Sequence, residues 1–197
     1  GAPFENLFVV DNIEVPNINH FGSQGSTGGP ISLINIRFVE SAALSAGGFG
    51  ARYGDRTSSA TTITLREGNT ERLAGEVNVA ATQFGAVLEG PIGSKGSFFA
   101  NVRQSYLDLL FKAIGLSFIP AYTDATAKAV WRPTSRDAFS VLTIAARGTV
   151  SFDNSTDSAR VNNSQVLAPV QDQYFSGLTW KRLLPRGVVT TTLGRTW

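Results

Sequence analysis

Cysteine and methionine are both absent from this 197-residue sequence, and charged residues make up only 16% of it. Without cysteine, the chain has no disulfides and no thiolate metal ligands. Because position 1 is not methionine, we expect a processed chain or a piece of a longer one, so the missing signal peptide says nothing about the compartment. The charged fraction lies below the ~25% of ordinary soluble domains.

Long apolar runs are also missing, since no stretch approaches the ~20 residues that a transmembrane helix needs. The mean hydropathy, +0.01, is close to zero. A membrane role would therefore require β-strands, whose alternation of apolar and polar residues hides the apolar content from a hydropathy average. The net charge is only +2 and the basic residues are scattered singly, so we predict no nucleic-acid partner.

Catalytic and metal-binding motifs are poorly represented. The stretch Gly48-Phe49-Gly50 lacks the third glycine of a dinucleotide loop, and Gly93-Ser94-Lys95-Gly96-Ser97 lacks the spacing of a phosphate loop and is typical of a hairpin turn. His20 is the only histidine, which disfavours a zinc site in a chain without cysteine. We therefore predict that the chain is not an enzyme and holds no metal or cofactor.

Residues 1–70 have the pattern of a compact segment made of short elements. Residues 8–15 predict a strand that is interrupted by the turn signal Asp11-Asn12. Asn, Ser and Gly dominate the following loop, residues 16–30, which is longer than a simple hairpin turn. The rest of the segment predicts a helical turn over 31–36, a strand over 38–45, a glycine-rich turn over 47–54, and a strand over 60–66 with Ile63 and Leu65 on one face.

From Leu73 onward, apolar residues recur at every second position, as they do in β-hairpins. In the first of these strands Leu73, Val77 and Val79 share one face, while Glu76 and Asn78 share the other. The pattern predicts about seven strands. We expect a tight connection at Gln83-Phe84, short connections at 94–96, 133–137 and 184–187, and long ones at 111–121 and 153–169.

Connections that alternate in length are typical of outer-membrane barrels, which have short periplasmic turns and longer outside loops. Asp124 and Lys128 lie four residues apart on one strand face, which indicates a charge network lining a lumen. Several aromatic residues near predicted strand ends match an interfacial girdle: Tyr106, Trp131, Tyr174, Trp180 and Trp197. The pattern alone leaves a soluble β-sandwich open as an alternative.

Three stretches resemble TonB-dependent outer-membrane receptors. VVDNIEVPN (residues 9–17), followed by a Gly/Ser-rich loop, and FVESAALSAGGFGARYGDRTSSATTITLREGN (38–69) resemble the C-terminal half of the plug domain in that family. GPIGSKGSFFANVRQSYLD (90–108) resembles the second and third barrel strands of a subgroup. The sequence departs from the family pattern in having Asp11-Asn12 for Asp-Gly and Thr57-Ser58-Ser59 for Gly-Gly.

The resemblance implies a mainly β fold. A partial plug domain of mixed α/β structure would occupy residues 1–70, and antiparallel strands of a transmembrane β-barrel would occupy residues 71–197. Barrels of this family close with about 22 strands around the plug, so seven strands would be an incomplete part of one. Residues Glu67 to Arg72 would form the hinge between the plug and the first barrel strand.

The loop over residues 16–30 corresponds to the plug apex, which in the family faces the substrate vestibule. We expect Asn17, Asn19, His20, Phe21 and Gln24 to be ligand-binding residues. Their amide, imidazole and aromatic groups suit a polar ligand such as a sugar or a metal chelate. Turn formation and packing of Phe21 into the plug are the alternative roles.

Three arginines, Arg52, Arg56 and Arg66, are candidates for plug–barrel contacts, because carboxylates of the barrel would pair with them and hold the plug. The alternative for each arginine is an ordinary paired charge that has no role in holding the plug.

The resemblance also implies TonB-dependent active transport of a scarce nutrient across the bacterial outer membrane, the nutrient being a siderophore, cobalamin, an oligosaccharide or a peptide. The expected partners are TonB, through a segment outside this sequence, a small nutrient ligand, and outer-membrane lipid. A lipoprotein or another envelope subunit is a further candidate. The alternative function is that of an outer-membrane β-protein serving as a structural or adhesion scaffold in a larger complex.

Overall fold

The computed structural model describes residues 5–22, 29, 31–48, 50, 52–54, 56–115, 118–163 and 170–197, without the side chains of residues 118, 158, 159 and 162. The described residues form a four-stranded sheet, a seven-stranded sheet and one short two-stranded hairpin. A shared apolar core joins the four-stranded sheet to one side of the seven-stranded sheet. We call that side of the seven-stranded sheet its inner face and the opposite side its outer face.

The four-stranded sheet begins with a tight hairpin. Strand β1 (Asn6–Val10) pairs antiparallel with β2 (Ile13–Val15) through a turn at Asp11 and Asn12. Both turn residues have a positive φ, 46° and 68°, which matches the right-handed twist of a two-residue hairpin. Asp and Asn adopt this backbone at a lower cost than other non-glycine residues. The turn predicted at these two positions is confirmed.

A second, smaller hairpin follows, in which β3 (Asn19–His20) pairs with β4 (Ile31–Ser32). A 3-10 helix then spans Ile36–Phe38. The helical turn predicted over residues 31–36 is therefore wrong. The helix begins later because the Asn35 side chain accepts a hydrogen bond from the backbone N–H of Arg37 at 3.1 Å, as a helix N-cap does.

Two longer strands complete the four-stranded sheet. Strand β5 (Val39–Ala46) pairs antiparallel with β6 (Ser59–Leu65), and β6 pairs parallel with β1. The resulting order is β2-β1-β6-β5, with β5 as an exposed edge. Ile63 and Leu65 are buried, as the alternation along β6 predicts.

The seven-stranded sheet is an antiparallel meander whose strands lie in sequence order. Its elements are β7 (Ala74–Val79), β8 (Gln83–Ile92), β9 (Gly96–Ser105), α1 (Leu107–Ala113), β10 (Phe118–Trp131), β11 (Asp137–Phe152), α2 (Asp157–Asn163), β12 (Val170–Leu184) and β13 (Gly187–Thr196). Short turns at 93–95, 132–136 and 185–186 lie at one end, and the long connections containing α1 and α2 lie at the other. In the described ranges, no helix is both long and apolar enough to cross a bilayer.

The first connection of this sheet corrects the sequence interpretation. Gln83 and Phe84 lie inside β8, where they pair with Ser105 and Val79, so the tight connection predicted at Gln83-Phe84 is wrong. The turn spans residues 80–82 and is closed by a 2.8 Å hydrogen bond from the Ala80 N–H to the Gln83 carbonyl. These three residues include no glycine, proline or asparagine, so they carry no turn signal.

The inner face of the seven-stranded sheet supplies about half of the shared apolar core. Its contribution comes from alternate positions of β8, β9, β11 and β12, as expected for side chains on one face of a sheet. The largest fully buried rings, Phe38 of the N-terminal segment and Phe99 of β9, stack with centroids 4.3 Å apart. The sheet residues of the core are Val87, Phe99, Leu142, Ile144, Ala146 and Phe175.

The outer face carries cross-strand rows of apolar side chains. Near the short turns, the register aligns Trp131, Phe139 and Trp180 on three neighbouring strands, with ring centroids 6.0 and 6.3 Å apart. Further along, large apolar side chains such as Leu178 and Leu193 are exposed. An apolar exposed surface of this extent marks a contact with lipid or with another protein.

Ile13 of β2 packs against the last two strands of the seven-stranded sheet. It sits over Gly177 of β12 and Gly194 of β13, where a Cβ on Gly177 would lie 2.7 Å from the Ile13 Cγ1. This separation is too short for two carbon atoms, so glycine is required at position 177 while Ile13 occupies the site.

The substitution Gly177→Ala should therefore destabilise the protein by about 1–3 kcal/mol, the usual cost of overpacking a core. Adding Ile13→Ala should recover part of that loss, giving a non-additive double-mutant cycle. Thermal unfolding of the full chain in detergent measures both. Gly187→Ala is the matched control, because a Cβ at Gly187 would meet no atom within 4 Å. Equal melting temperatures for Gly177→Ala and the wild type would contradict this packing.

Candidate functional site: the ionic interface between the two sheets

Strand β10 presents an ionisable residue at every fourth position of its end nearest the short turns. Asp124 and Lys128 lie on its inner face, and Arg132 follows directly after its last residue, Trp131. Because side chains alternate between faces, this spacing keeps all three on one side, with successive residues about 13 Å apart along the strand. Each of them contacts a residue from the first 70 of the chain.

Asp124 is the centre of a buried cluster with Arg103 and His20, which we call the Asp124 cluster. The Arg103 guanidinium donates two hydrogen bonds to the carboxylate, both at 2.8 Å, a bidentate geometry that is among the strongest in proteins. The His20 Nε2 lies 2.9 Å from the Asp124 Oδ2. The Asp124, His20 and Arg103 side chains are 0%, 1% and 7% exposed, so this polar cluster is almost completely removed from solvent.

Arg103 also holds the β3–β4 hairpin directly. Its Nη2 donates to the backbone carbonyls of Ser32 at 2.8 Å and Leu33 at 3.0 Å. On the other side of the hairpin, the His20 ring lies 4.5 Å from the Tyr122 ring, centroid to centroid. The hairpin is therefore positioned by contacts with strands β9 and β10 rather than by its own two backbone pairs.

A second ionic contact joins the β1–β2 turn to the same strand. The Lys128 Nζ lies 2.8 Å from the Asp11 Oδ2 and also donates to the Leu65 carbonyl. The other carboxylate oxygen of Asp11 accepts the backbone N–H of Leu65 at 3.0 Å. Asp11 therefore links the hairpin turn, the end of β6 and the inner face of β10 through a single carboxylate.

Residues 66–69, which leave the four-stranded sheet, are tied to the seven-stranded sheet. Arg66 donates to Glu89 of β8 at 2.6 and 3.2 Å, and its guanidinium lies 4.9 Å from the Phe38 ring centroid. The backbone N–H of Asn69 donates to the same carboxylate at 3.1 Å. A hinge was expected over Glu67 to Arg72, yet the first part of this segment has well-defined bonds to the wall strands.

Glu67 completes this attachment by accepting two hydrogen bonds from Arg132, one of them at 2.7 Å. The bond from Arg132 holds the pKa of the Glu67 carboxyl below its usual range. Both side chains are partly exposed, at 34% and 48%, so water and salt weaken their attraction. This contact is therefore weaker than the buried Asp124 cluster.

The predicted ligand-binding residues occupy different environments. Asn17 is half-buried, and its side-chain oxygen accepts the Asn19 N–H at 3.0 Å. The Asn19 carbonyl accepts a hydrogen bond from Gln173 of β12 at 3.1 Å. His20 is buried in the Asp124 cluster, and Phe21, with a φ of 57°, packs edge-on against Tyr122. Gln24 lies outside the described residues.

The three predicted plug–barrel arginines also differ in their partners. Arg66 contacts Glu89 of the seven-stranded sheet. The Arg52 side chain donates to Asn12 at 2.8 Å, and Arg56 donates to Glu14 at 2.9 Å. The described bonds of Arg52 and Arg56 therefore lie within the N-terminal segment, where they support the β1–β2 hairpin.

The sequence identified some residues of this interface but not the residues that they contact. The spacing of Asp124 and Lys128 predicted a lumen network. Asp11 was interpreted only as a turn residue, and Glu89 was not singled out. A signal was available for Glu89, because it lies two residues from the buried Val87 and so on the same face of β8.

Paired charges make up the ionic part of this interface. Among the described residues, no group of three or more His, Cys, Asp and Glu side chains could hold a metal ion. Every carboxylate discussed above is paired with an arginine, a lysine or His20. What the arrangement can do is hold one sheet on another in a single position through contacts that water can replace.

Solved structures of outer-membrane receptors match this chain over almost its whole length. The siderophore receptor PirA from Acinetobacter baumannii matches 98% of this chain and 32% of its own, with a TM-score of 0.66 and 15% identity. A mutant of the ferric enterobactin receptor PfeA from Pseudomonas aeruginosa matches 98% and 33%, with a TM-score of 0.65 and 16% identity. The siderophore receptor PirA from Pseudomonas aeruginosa matches 98% of this chain and 32% of its own, with a TM-score of 0.60 and 16% identity. No protein-family model and no curated protein matches the sequence.

These neighbours are TonB-dependent receptors of the Gram-negative outer membrane. The resemblance and the fold class predicted from the sequence, mainly β with parts of a plug and a barrel, are confirmed. The chain spans about a third of the length of each neighbour. At 15–16% identity the likeness concerns the fold, with which an outer-membrane location is consistent.

Removing the Asp124 carboxylate charge should leave the buried Arg103 without its counter-ion. We expect Asp124→Asn to cost about 3–5 kcal/mol, the range for a buried pair that loses one partner. Asp172→Asn is the matched control, because Asp172 pairs with Arg147 at 3.6 Å on the exposed surface, where the cost is about 0–1 kcal/mol. Thermal unfolding of the full chain in detergent distinguishes the Asp124→Asn and Asp172→Asn variants. Equal effects would mean that the Asp124 cluster contributes no more than a surface pair.

Acid should loosen the attachment at Glu67. The folded-state pKa of this carboxyl is lowered, so its contribution to stability is present above the ordinary glutamate pKa of about 4.3 and is lost as the pH falls through the lowered value. Hydrogen exchange of residues 67–73, corrected for the intrinsic rate, should become faster over that range. In Glu67→Gln the same segment should exchange fast at every pH. A wild-type profile identical to that of Glu67→Gln would contradict this role.

Proposed function

We propose that the protein is part of a TonB-dependent receptor that takes up a scarce nutrient across the bacterial outer membrane. In this proposal residues 1–70 belong to the plug and residues 71–197 to the first strands of the barrel wall. The observation that carries the proposal is the interface itself. The N-terminal segment is held by two buried ionic contacts, His20–Asp124 from the β3–β4 hairpin and Asp11–Lys128 from the four-stranded sheet, against the inner face of a larger sheet whose outer face is apolar.

The chemistry of this interface suits a plug that must stay in place and yet rearrange. An apolar interface exposes surface to water when it opens and so costs free energy in proportion to its area. Buried ions behave differently, because the several kcal/mol per ion lost in desolvation is recovered when water returns. The Asp124 cluster and the Asp11–Lys128 pair therefore fix the position of the plug while adding little to the net cost of moving it.

Ferric siderophores are the first candidate nutrients, because the matching structures are named as a siderophore receptor and a ferric enterobactin receptor. The loop around β3 and β4 is the proposed ligand-facing part of the plug. In it Asn17 and Phe21 are half-buried and offer an amide and an aromatic face. His20 is assigned a different role, since its Nε2 already bonds Asp124, and it acts by positioning the loop.

The test is uptake by cells that carry the full-length receptor. Deleting the receptor should abolish uptake of one iron-loaded siderophore, and restoring it should recover uptake only in cells that have TonB and a proton gradient. Binding without TonB should persist. A structural or adhesion scaffold would leave uptake of siderophores, cobalamin, oligosaccharides and peptides unchanged on deletion, and that result would refute the proposal.

A disulfide between the sheets should block transport reversibly. These 197 residues contain no cysteine that would compete for the bridge, and any cysteine elsewhere in the receptor is replaced first. A Cβ at position 177 would lie 2.7 Å from the Ile13 Cγ1, so the two side chains meet. Oxidised Ile13→Cys/Gly177→Cys receptor should bind ligand and fail to transport it, and reductant should restore transport. The Ile13→Cys single variant, which leaves Gly177 in place, serves as the control. Full transport by the verified disulfide form would mean that β2 does not leave β12 in the transport cycle.

A further inference from the structure

A groove of about 540 Å³ lies at the end of the seven-stranded sheet that carries the short turns. The turns at 93–95 and 132–136 form much of its lining, and Thr70 of the connection after β6 completes it. Arg132 lines the groove and reaches a residue of the N-terminal segment, so the groove opens on the inner side of the wall, away from the apolar outer face. Hydroxyl-bearing and cationic side chains make up most of the lining.

Hydrogen bonds between and within the two turns hold the groove in shape. The Lys95 carbonyl accepts the backbone N–H of Arg132 at 2.8 Å, and the Lys95 Nζ donates to the Pro133 carbonyl at 2.8 Å. Within the second turn, the Thr134 hydroxyl donates to the Asp137 carboxylate at 2.7 Å and accepts the backbone N–H of the same residue at 3.0 Å. The groove is therefore formed before any ligand arrives, which lowers the entropic cost of binding.

Positive charge is concentrated at this end of the sheet. The three short turns, at 93–95, 132–136 and 185–186, contain four arginine or lysine residues and no aspartate or glutamate. The whole chain has a net charge of only +2. A surface of one sign attracts partners of the opposite sign and disfavours others, so the groove suits an anionic partner.

The groove already holds one carboxylate of its own chain. Glu67 accepts two hydrogen bonds from the Arg132 guanidinium, one of them at 2.7 Å. These side chains are 34% and 48% exposed, so a carboxylate from solution can compete for the guanidinium. The Lys95 ammonium has three donors, of which the Pro133 carbonyl takes one. Two cationic groups are therefore within reach of a ligand that carries carboxylates.

We propose that this groove binds an acidic, extended segment of a protein partner, and that one carboxylate of that segment displaces Glu67 from Arg132. A second carboxylate binds Lys95. The proposal rests on the proposed function in one respect, because the short turns must face the periplasm for a partner there to reach them. A lipid headgroup has the same sign of charge, but it lies outside the wall, whereas the groove opens inward.

Displacement of Glu67 changes the connection between the two sheets. The connection loses its bond to the turn at 132–136, while Arg66 and Asn69 keep their bonds to Glu89. The partner therefore loosens the connection without detaching it from the wall. In this way a binding event at the short turns is coupled to the attachment of the four-stranded sheet.

The test is binding of a fluorescent hexaglutamate peptide to the full-length receptor in detergent, measured by anisotropy. Like charges keep this peptide extended at neutral pH. Lys95→Gln/Arg132→Gln should weaken binding by about tenfold, the effect of losing two partly exposed charged contacts. Glu67→Gln should tighten binding by about twofold to fivefold, because the internal competitor for Arg132 is removed.

Two controls make the same changes of charge outside the groove. Lys181→Gln/Arg186→Gln removes two exposed cations near the third short turn, and Glu71→Gln removes an exposed carboxylate four residues after Glu67. Both should bind the peptide as the wild type does. In hydrogen exchange, the peptide should speed the exchange of residues 67–73 in the wild type and leave the already fast exchange of Glu67→Gln unchanged.

Four outcomes would overturn the proposal. The first is no binding by the wild-type receptor, and the second is wild-type affinity in Lys95→Gln/Arg132→Gln. The third is equal weakening in Lys181→Gln/Arg186→Gln, which would indicate general attraction of anions, and the fourth is unchanged affinity in Glu67→Gln. Uptake is measured separately on the same variants. A receptor that transports its nutrient but does not bind the peptide refutes only this inference, and one that binds it without transporting anything refutes only the proposed function.

Discussion

The carboxylate of Asp124 is the group on which the position of the β3–β4 hairpin against the seven-stranded sheet depends. It is fully buried and is shared by Arg103 and His20. Both partners are themselves buried, so any shift of the β3–β4 hairpin along β10 would leave a charge or a polar ring without a partner in the interior. Such unpaired groups cost several kcal/mol, far more than the hairpin gains from its two backbone pairs. The cluster therefore selects one position among those that the apolar core alone would accept.

The inner face of the wall is divided between two kinds of contact. Apolar side chains of β11 and β12 pack beneath β2, with Ile13 seated on the two glycines at 177 and 194. Ionisable side chains of β9 and β10 face the hairpin turns and the end of β6. The first group supplies most of the favourable free energy of burial. The second group fixes the relative position of the parts that it joins, because bidentate and charged hydrogen bonds form in only one geometry.

The sequence predicted this fold better than it predicted the interface, for a physical reason. Local patterns specify local structure, so the Asp11-Asn12 turn, the burial of Ile63 and the alternation along the wall strands could all be predicted. The His20–Asp124 bond joins residues 104 positions apart, and no local pattern indicates it. His20 was interpreted as a ligand-binding residue because a polar loop looks the same whether its partner is a ligand or a buried carboxylate. The turn at residues 80–82 was missed because it contains none of the residues that mark a turn.

The relative exposure of the ionic contacts indicates the order in which the two sheets can separate. The contacts of Arg66 and Glu67 lie in the chain segment that continues into β7, so breaking them frees very little of the four-stranded sheet. The Asp124 cluster and the Asp11–Lys128 pair hold parts that are remote from that connection, and they are 11% exposed or less. Any displacement that opens a path along β10 must admit water to these buried groups first. Hydration then compensates the lost ion pairs, while the connection at residues 66–69 keeps the displaced sheet next to its site.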